Sequence, residues 1–497
     1  MAKQGRARKQ KRDDNPLSSA RLSGDKCKAS SLWFRKSGAG YHLFLSFFAE
    51  QPGAVCNEGD PQQVGNDGDV ASVARKGKGM SRAAKRRRKH KDPCNVDVGR
   101  SAHEDGQGAP DMTELDQSHP LVQAFESKAN EWTRLRGFVE ALSRPLPLTI
   151  RLRDVDATER MNELKQKLGD FSQLIGPVQY DKSIYQSRPG CSLCKSSLGK
   201  ISPGLKEVIV SGSMDGLLAR QELASMLPVL ALSHVGALKA GAKVLDLCSS
   251  PGSKTLQALE VVCSSNRRGK VIANDINASR LESLREAVIR SGVDEELTDR
   301  VTFTNFDASE FPSPKSGKLF DCIICDVPCS GDGTIRKDKH ILPMWTPATS
   351  NSLHPLQLDI LRRALELVRV GGSVSYSTCS LNPIEDESVV SAALANDDRY
   401  ELLDWPSELL PGFVTRRGIS DWKVAFYNKD SFEGDDSDDF GQLSFYDSHI
   451  KAMENGETGS CETLWPTGKV PLKRCMRLWP QDQDTGGFFV AIIRRKR

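Results

Sequence analysis

Two cysteines and one aspartate lie at the ends of two apolar runs, and their residue types could support covalent chemistry. The run 322–325 ends in Asp326, and Cys329 follows shortly after it. A second apolar run, 374–378, ends in Cys379. Because parallel strands bring their carboxyl ends to one edge of a sheet, we expect both thiols and the carboxylate to meet there. Thiolates are the nucleophiles of enzymes that bind their substrate covalently for part of the reaction.

The pattern around these residues predicts an α/β fold. Short, nearly continuous apolar runs alternate with segments in which apolar residues recur every three or four positions. The apolar runs are 243–248, 270–275, 300–307, 319–326, 373–378 and 486–493. Strands that are apolar on both faces must be covered by helices on both sides, so we expect a doubly wound, Rossmann-like parallel sheet.

The turn after the first predicted strand indicates what such a sheet binds. It consists of Cys248, Ser249, Ser250, Pro251, Gly252, Ser253 and Lys254. It lacks the GxGxxG spacing that holds a dinucleotide and the Walker spacing that holds nucleotide phosphates. Asp275, Asp307 and Asp326 end the next three strands, where carboxylates can accept hydrogen bonds from ribose hydroxyls. An adenosine ligand with a cationic centre, S-adenosylmethionine, suits this ring of acids.

The two thiols suit methyl transfer to carbon 5 of cytosine, which is too weak a nucleophile to react unaided. A thiolate that adds to C6 makes C5 electron-rich, and a base must later remove the C5 proton so that the thiolate can leave. Asp326 could support N3, and Lys254 could face the substrate, orient Asp326 or lie in solvent. The residues alone leave open which thiol attacks, and whether Cys329 and Cys379 are merely small buried residues.

Several motifs together resemble the Nol/Nop/Sun (NSUN) family of RNA cytosine-5 methyltransferases. They are CSSPGSKT, NDIN, DVPCSGDGT and YSTCSLNPIEDE, extended by RQELASMLP and GGFFVAII. The segments that resemble most the eukaryotic multisite tRNA branch of the family are DVPCSGDGTIRKD, LNPIEDE, GISDWKV and RCMRLWPQDQDTGGFFVA. The resemblance implies a class I methyltransferase sheet, S-adenosylmethionine as the cofactor and RNA as the substrate, with tRNA favoured.

The resemblance also implies roles for individual residues. Cys379, in the TCS motif, is expected to be the nucleophile, and Cys329, in the PCS motif, is expected to aid product release. Asp326 and Lys254 are the remaining catalytic candidates. The residues expected to bind the cofactor are Cys248, Ser249, Ser250, Pro251, Gly252, Ser253, Lys254, Asp275, Asp307 and Asp326.

The chain divides into three expected regions. Residues 1–115 carry basic runs among small polar residues, which predicts a disordered basic tail. Residues 116–215 alternate helical and extended patterns and are rich in lysine and arginine, which predicts a small α+β RNA-binding domain. Residues 216–497 are expected to form the methyltransferase domain, with an acidic surface insertion at 428–470.

Composition and charge narrow the class of protein. Of the 497 residues, 38% are hydrophobic and 27% are charged, values typical of a soluble globular protein. No apolar run reaches the length of a membrane span, so no membrane partner is expected, and we expect a monomer. An odd number of cysteines, 13, without secreted spacing indicates reduced thiols. The CxxC pairs at 191–194 and 322–325 lack further ligands at matching spacing, so no metal site is expected.

The basic runs 3–12 and 82–91 predict import into the nucleus, with the nucleolus as a candidate destination within it. A solvated charged tail that only contacts RNA phosphates is the alternative. Two alternatives also remain for the activity. One is the same chemistry on rRNA, and the other is an RNA-binding or ribosome-assembly factor without catalysis, against which the intact Cys379, Cys329 and Asp326 argue.

Overall fold

The computed structural model describes most of the chain outside the N-terminal region. The described residues are 39–51, 117–154, 158–264, 269–290, 299–428 and 442–497. All of them belong to one compact unit. The two basic runs predicted to direct nuclear import lie outside the described residues.

The described residues form a mixture of helices and strands. The strands are β1 (Thr149–Leu152), β2 (Ile175–Pro177), β3 (Ile184–Ser187), β4 (Leu218–Arg220), β5 (Lys243–Asp246), β6 (Lys270–Asn274), β7 (Val301–Thr304), β8 (Phe320–Asp326), β9 (Val368–Thr378), β10 (Tyr400–Leu402), β11 (Arg416–Arg417), β12 (Val424–Asn428), β13 (Gln442–Tyr446), β14 (Met476–Leu478) and β15 (Phe488–Arg495). The helices are α1 (Ala39–Glu50), α2 (Pro120–Ser127), α3 (Ala129–Trp132), α4 (Arg136–Ser143), α5 (Thr158–Gly169), α6 (Leu198–Ile201), α7 (Pro203–Met214), α8 (Leu223–His234), α9 (Ser253–Cys263), α10 (Ala278–Arg290), α11 (Pro347–Leu367), α12 (Glu387–Leu394), α13 (His449–Glu454) and α14 (Pro480–Gln483).

The predicted Rossmann-like α/β sheet is confirmed. The strands β7, β6, β5, β8 and β9 lie side by side in that order and run parallel. β15 pairs antiparallel with β9, and β14, β11 and β10 complete the nine-stranded sheet of the described chain. Because the strand order reverses between β5 and β8, a ligand crevice opens there at the carboxyl ends of the strands.

Helices cover this sheet because their apolar residues form stripes. The buried stripes are Leu281, Leu284 and Val288 in α10 and Leu358, Leu361 and Leu365 in α11. Burying each leucine or valine contributes roughly 2 kcal/mol to folding. Ile289, the residue after Val288, is 64% exposed. One residue turns the helix by about 100°, so the neighbour of the buried Val288 points away from the sheet.

A second sheet of the described residues has four antiparallel strands in the order β2-β3-β1-β4. Helices α5 and α7 pack on it around a core that includes Ile150, Leu164 and Ile209. This is the α+β pattern expected for 116–215, but the boundary differs, because β4 extends the sheet to Arg220.

Helices α2 and α4 were expected in that small domain, but they pack in a different core. Phe125 and Phe138 lie there with Trp345 and Trp479, which belong to the segments following β8 and β14. The apolar faces of these helices are therefore buried against the part of the chain expected to form the methyltransferase domain.

The disordered tail expected for 1–115 is wrong for the part that the structure describes. Ala39–Glu50 is a helix, α1, whose buried side chains are Leu43, Phe44, Leu45, Phe47 and Phe48, each at most 2% exposed. Its apolar content is sufficient to offset the entropy lost on ordering, because it packs into the core that contains Trp345. Residues 1–38 and 52–115 lie outside the described residues.

The acidic surface insertion expected at 428–470 is also wrong in its described part. β13 pairs with β12 along its whole length. Leu464 and Trp465 are at most 5% exposed and join the core under α11. The acidic stretch itself, 429–441, lies outside the described residues. No helix of the described residues is long and apolar enough to cross a membrane.

Candidate active site

The two thiols expected to meet at the sheet edge do so. The sulfur atoms of Cys329 and Cys379 are 3.3 Å apart, and both residues are half-buried. Cys329 follows β8 and Cys379 follows β9, and these two strands are parallel neighbours. The hydrogen bond to Cys379 and burial both raise the pKa of the Cys329 thiol well above its ordinary value. Cys329 therefore keeps its proton near neutral pH, which suits proton transfer better than nucleophilic attack.

Asp326, the last residue of β8, is held in place on both of its oxygens. Lys254 Nζ lies 2.7 Å from Oδ2, and the hydroxyl of Ser377 donates to Oδ1 at 2.7 Å. The Lys254 side chain is only 9% exposed and also donates to Ser225 Oγ at 3.0 Å. This contact is the one expected if Lys254 orients Asp326, and the burial of the side chain contradicts a solvated lysine.

A buried carboxylate beneath the thiols ties the two cysteine turns together. Glu385 is fully buried and accepts from the backbone N–H of Ser330 at 2.8 Å and its hydroxyl at 2.6 Å. It also accepts from the hydroxyl of Ser380 at 2.9 Å. Ser350 and Gln357 of α11 donate to it at 2.7 and 2.9 Å. Ser330 follows Cys329 and Ser380 follows Cys379, so this single carboxylate fixes the relative position of both thiols.

The same turn region contains a buried arginine, Arg477, that pairs with two carboxylates; these three residues are called the Arg477 cluster. Arg477 donates to Glu387 Oε1 at 2.6 Å and lies 3.2 Å from Asp386. It also donates to the carbonyl oxygen of Leu381 at 2.8 Å. The two carboxylates raise the pKa of Arg477 against the effect of burial. Thr378, the residue before the nucleophile candidate, donates to Asp386.

Sequence reasoning missed these acidic residues. The LNPIEDE motif contains Glu385, Asp386 and Glu387, and three acids directly after a buried strand were an available signal. Carboxylates at such a position must have donors in the fold, because their burial is otherwise too costly. The sequence does not show which donors these are.

Backbone segments also meet at this edge. The N–H of Gly333 donates to the carbonyl of Cys379 at 2.9 Å, and the N–H of Gly487 donates to the carbonyl of Gly333 at 2.7 Å. A Cβ atom on Gly333 would lie 2.4 Å from the oxygen of Gly487. Gly333 of the PCSGDG motif and Gly487 of the GGFF motif are therefore required because two segments of the backbone approach closely there. This contact brings the start of β15 against the thiol pair.

The predicted cofactor turn lies between β5 and α9. Ser249 donates to the Asn274 carbonyl at 2.9 Å through its hydroxyl, and the Ser250–Pro251 peptide bond is cis. Gly252 has a φ of 105°, and an added Cβ would lie 2.1 Å from Leu284 Cδ1. Ser253 begins α9, with its hydroxyl 3.4 Å from that of Ser225. The turn thus presents backbone and small side chains to the crevice.

Cys248, at the start of this turn, is a third thiol near the site. Burial raises the pKa of its thiol well above the ordinary value, and the nearby Cys325 raises it further. Cys248 therefore stays protonated and is unsuited to act as a competing nucleophile.

Two of the acids predicted to surround the cofactor differ in their surroundings. Asp275 is 3% exposed and accepts from the N–H groups of Ser250 at 3.3 Å and Asn277 at 2.8 Å. Asp307 is half-buried and caps the turn that follows it, accepting from the N–H and hydroxyl of Ser309 at 2.9 and 2.6 Å. Asp275 therefore bridges the cofactor turn and the end of β6, whereas Asp307 stabilises its own loop.

Asp246, the last residue of β5, was missed by sequence reasoning. It is 1% exposed, and Thr255 donates to Oδ2 at 2.7 Å. Oδ1 has no hydrogen-bond partner among the described residues. Burial raises the pKa of Asp246 to about 7, and neighbouring Asp326 and Asp275 add to the shift. A buried carboxylate oxygen without a donor, beside two further acids, fits a ligand that carries positive charge.

Among the residues of the described ranges, no group of three or more histidine, cysteine, aspartate or glutamate side chains could hold a metal ion. The thiols of the predicted incidental pair in β8, Cys322 and Cys325, are fully buried. Cys194 is hydrogen-bonded to Ser196 and Ser197.

Replacing Gly252 with alanine tests the shape of the cofactor turn. The left-handed backbone alone should cost about 1 kcal/mol of the free energy of unfolding. The clash with Leu284 should add about 1 to 3 kcal/mol. Gly236 is a matched control, because it has a φ of 76° but open space around its Cα. Urea denaturation should therefore show a smaller loss for Gly236→Ala than for Gly252→Ala, and equal losses would contradict the predicted clash.

The raised pKa of Asp246 predicts a dependence of stability on pH. Between about pH 4 and 7 the unfolded chain ionises Asp246 while the folded protein keeps its proton, so folding loses up to about 1.4 kcal/mol per pH unit. Above about pH 7 the loss stops growing. Asp246→Asn removes this group, so its stability relative to the wild type should rise from pH 5 to 7 and then level off. Urea denaturation at each pH measures the difference, and a constant difference would exclude a raised pKa.

Comparison with known proteins supports the resemblance seen in the motifs. Residues 234–416 match the family described as 16S rRNA methyltransferase RsmB/F. The chain is 38% identical over 337 residues to the multisite-specific tRNA:(cytosine-C(5))-methyltransferase of Schizosaccharomyces pombe, a match that covers 59% of this chain and 45% of that protein. It is 34% identical over 312 residues to the tRNA (cytosine(34)-C(5))-methyltransferase of Drosophila melanogaster, with 59% and 39% covered.

The chain spans less than half the length of these two relatives. A solved methyltransferase homologue from Pyrococcus horikoshii is similar with a TM-score of 0.48 and 24% identity, over 73% of this chain and 90% of that one. The predicted likeness to the Nol/Nop/Sun family and its eukaryotic tRNA branch is confirmed by the sequence matches. Through residues 234–416, the chain is similar to the RsmB/F family of methyltransferases.

Proposed function

We propose that this protein methylates carbon 5 of cytosine in RNA, with S-adenosylmethionine as the cofactor and tRNA as the favoured substrate. The observation that carries the proposal is the pair of thiols, Cys329 and Cys379, 3.3 Å apart at the edge of a methyltransferase-like sheet. A single thiol would suffice for attack, and a second one at this distance provides a group for proton transfer.

The crevice fits the proposed cofactor. S-adenosylmethionine supplies an electrophilic methyl group on a sulfonium centre when it is bound. The unpartnered Oδ1 of Asp246 and the carboxylate of Asp275 suit its positive charge and its ribose hydroxyls. The residues that would hold it are the turn 248–254 together with Asp246, Asp275, Asp307 and Asp326.

In the proposed reaction, the thiolate of Cys379 adds to C6 of an unpaired or flipped cytosine and forms a carbon–sulfur bond. The electron pair of the C5–C6 double bond moves into the ring, and Asp326 supports N3 as charge arrives there. C5 would then take the methyl group from the sulfonium centre of a bound cofactor, whose sulfur would keep the electron pair of the broken bond. Lys254 and Ser377 hold the Asp326 carboxylate in one orientation, so no reorganisation is needed during attack.

Release requires the loss of the C5 proton and departure of the Cys379 sulfur with the electron pair of its bond to C6. Cys329 lies beside the Cys379 sulfur, so it lies near the carbon that carries this proton. Cys329 can accept this proton only after its own thiol proton has passed to solvent, and its raised pKa then makes the thiolate a stronger base than that of an ordinary cysteine. Proton removal by Cys329 and elimination of Cys379 then restore the aromatic ring.

Alanine variants of the two cysteines separate these roles. Cys379→Ala should abolish both methyl transfer and covalent RNA adducts, because no thiol remains at the attacking position. Cys329→Ala should instead accumulate a protein–RNA adduct that survives denaturation, because elimination lacks its base. Gel electrophoresis with labelled RNA measures the adduct. Cys461→Ala is a control, because that cysteine is exposed and is distant in sequence from both motif cysteines. Methyl transfer by Cys379→Ala, or no adduct with Cys329→Ala, would reject the respective role.

The similarity to tRNA methyltransferases supports tRNA as the substrate, whereas the description of the matched family supports rRNA as the alternative. Bisulfite sequencing of both RNA classes after depletion of the protein should show loss of 5-methylcytosine in tRNA. Loss confined to rRNA would overturn the choice of substrate. A transfer assay with labelled cofactor separates either enzyme from a non-catalytic RNA-binding or assembly factor.

We further propose that the sheet β2-β3-β1-β4 and its helices contact RNA through the phosphate backbone. Lysines and arginines are exposed across this part, among them Arg160, Lys167 and Lys200. We also propose that the protein is a monomer and, on the basis of the runs 3–12 and 82–91, that it accumulates in the nucleus. Removal of both runs from a fluorescent fusion should abolish nuclear accumulation.

A further inference from the structure

Helix α1 lies against the segment that follows the PCSGDG turn. An added Cβ on Gly40 would lie 2.5 Å from the carbonyl oxygen of Leu342, so the two backbones are in direct contact. Leu43, Phe44 and Phe47 are at most 2% exposed. Although it is far from the catalytic motifs in sequence, α1 thus forms a wall of the core next to the site.

Trp345 is the residue that the aromatic side chains of α1 pack against. Its indole ring is 5.3 Å from the ring of Phe44 and 5.0 Å from the ring of Phe47. A third ring, that of Phe48, lies 6.0 Å away. Trp345 is 3% exposed. Three aromatic side chains of α1 therefore determine where the indole lies and which way its N–H points.

The indole N–H of Trp345 reaches a buried acid of the catalytic turn. It donates to Asp332 Oδ2 at 3.3 Å, and Asp332 is fully buried. Asp332 Oδ1 accepts from the backbone N–H of Leu381 at 2.6 Å. Asp332 lies in the turn of Cys329, and Leu381 lies in the turn of Cys379. This acid therefore forms a second link between the two thiol-bearing turns, besides that of Glu385.

We propose that Trp345 and Asp332 are positioning residues that hold Cys379 at its distance from Cys329, and that α1 acts on the site by fixing Trp345. Burying a carboxylate without hydrogen-bond donors costs free energy. The donors to Asp332 are the indole of Trp345 and the backbone N–H of Leu381, and Leu381 belongs to the turn that carries Cys379. The part of this inference that concerns reaction rate rests on the proposed function. The part that concerns the thiol distance does not.

Trp345→Phe removes the N–H donor and keeps an aromatic ring against α1. Trp422→Phe is the matched control, because Trp422 is also buried and its indole donates to the Leu464 carbonyl at 2.8 Å, in the core under α11. Both variants lose one buried hydrogen bond. Only Trp345→Phe should loosen the thiol pair.

The first readout needs no RNA or cofactor. Diamide oxidises two thiols to a disulfide as its azo group takes up two electrons and two protons and becomes a hydrazine. The rate of Cys329–Cys379 bridging, followed by peptide mass spectrometry, therefore reports how often the two sulfurs meet. We expect bridging to be several-fold slower in Trp345→Phe than in Trp422→Phe. Equal rates would overturn the positioning role, whatever the protein's activity.

The second readout is the single-turnover rate of adduct formation with RNA containing 5-fluorocytidine, at saturating cofactor. In this RNA a fluorine atom replaces the hydrogen at C5, and a base cannot remove fluorine as it removes a proton. The adduct therefore persists, and its amount can be measured. We expect Trp345→Phe to be slower by about tenfold, with unchanged cofactor affinity, because misplacement of a reacting atom lowers the rate and not ground-state binding. Trp422→Phe should keep the wild-type rate. If wild-type protein forms no adduct while bridging still separates the variants, the proposed function fails and the positioning role stands.

Helix α1 is tested by Phe47→Leu, with Phe125→Leu as the control from the same core. Phe125 lies on α2, under the guanidinium of Arg136. If α1 acts through Trp345, the combined Phe47→Leu and Trp345→Phe variant should bridge and react no more slowly than Trp345→Phe alone. Fully additive effects, or equal slowing by Phe125→Leu, would overturn the assignment to α1.

Discussion

The hydrogen bonding of one buried carboxylate, Glu385, is the constraint on which the candidate site depends. A carboxylate removed from water costs several kcal/mol unless donors surround it. Here the donors come from both cysteine turns and from α11, so the charge can be buried only when all three segments are in place. The short distance between Cys329 and Cys379 follows from this requirement. Asp332 and the Arg477 cluster apply the same principle to neighbouring parts of the turns.

The sheet brings to one edge the turns that Glu385 and Asp332 hold in place. β8 and β9 are parallel neighbours, so Asp326, Cys329 and Cys379 emerge at one edge. The reversal of strand order between β5 and β8 places the cofactor turn beside them. Segments distant in sequence then close the site, with Gly487, the residue before β15, contacting Gly333, and α1 contacting Trp345. As a result, the acids proposed to bind the cofactor and the thiols proposed to react lie at the same edge of the sheet.

Much of this was predictable from the sequence, and the failures have physical causes. The apolar runs predicted the parallel sheet and the meeting of the thiols, because strand ends share an edge. The choice of Cys379 as the nucleophile came only from the family resemblance, because both cysteines follow the ends of neighbouring strands and their positions do not distinguish them. Asp246, Asp332 and Glu385 were missed because the sequence shows an acid but not the donors that fold around it. Helix α1 was assigned to a disordered tail because its partners, such as Trp345, lie far along the chain.

One measurement tests directly whether Cys379 attacks the base while Cys329 serves its release. RNA containing 5-fluorocytidine is incubated with wild-type protein and S-adenosylmethionine, and the trapped adduct is digested and mapped by mass spectrometry. If Cys379 is the nucleophile, the nucleotide should be attached to the sulfur of Cys379 and should carry the transferred methyl group. Attachment to Cys329, or methylated RNA with no protein attached at any cysteine, would contradict it.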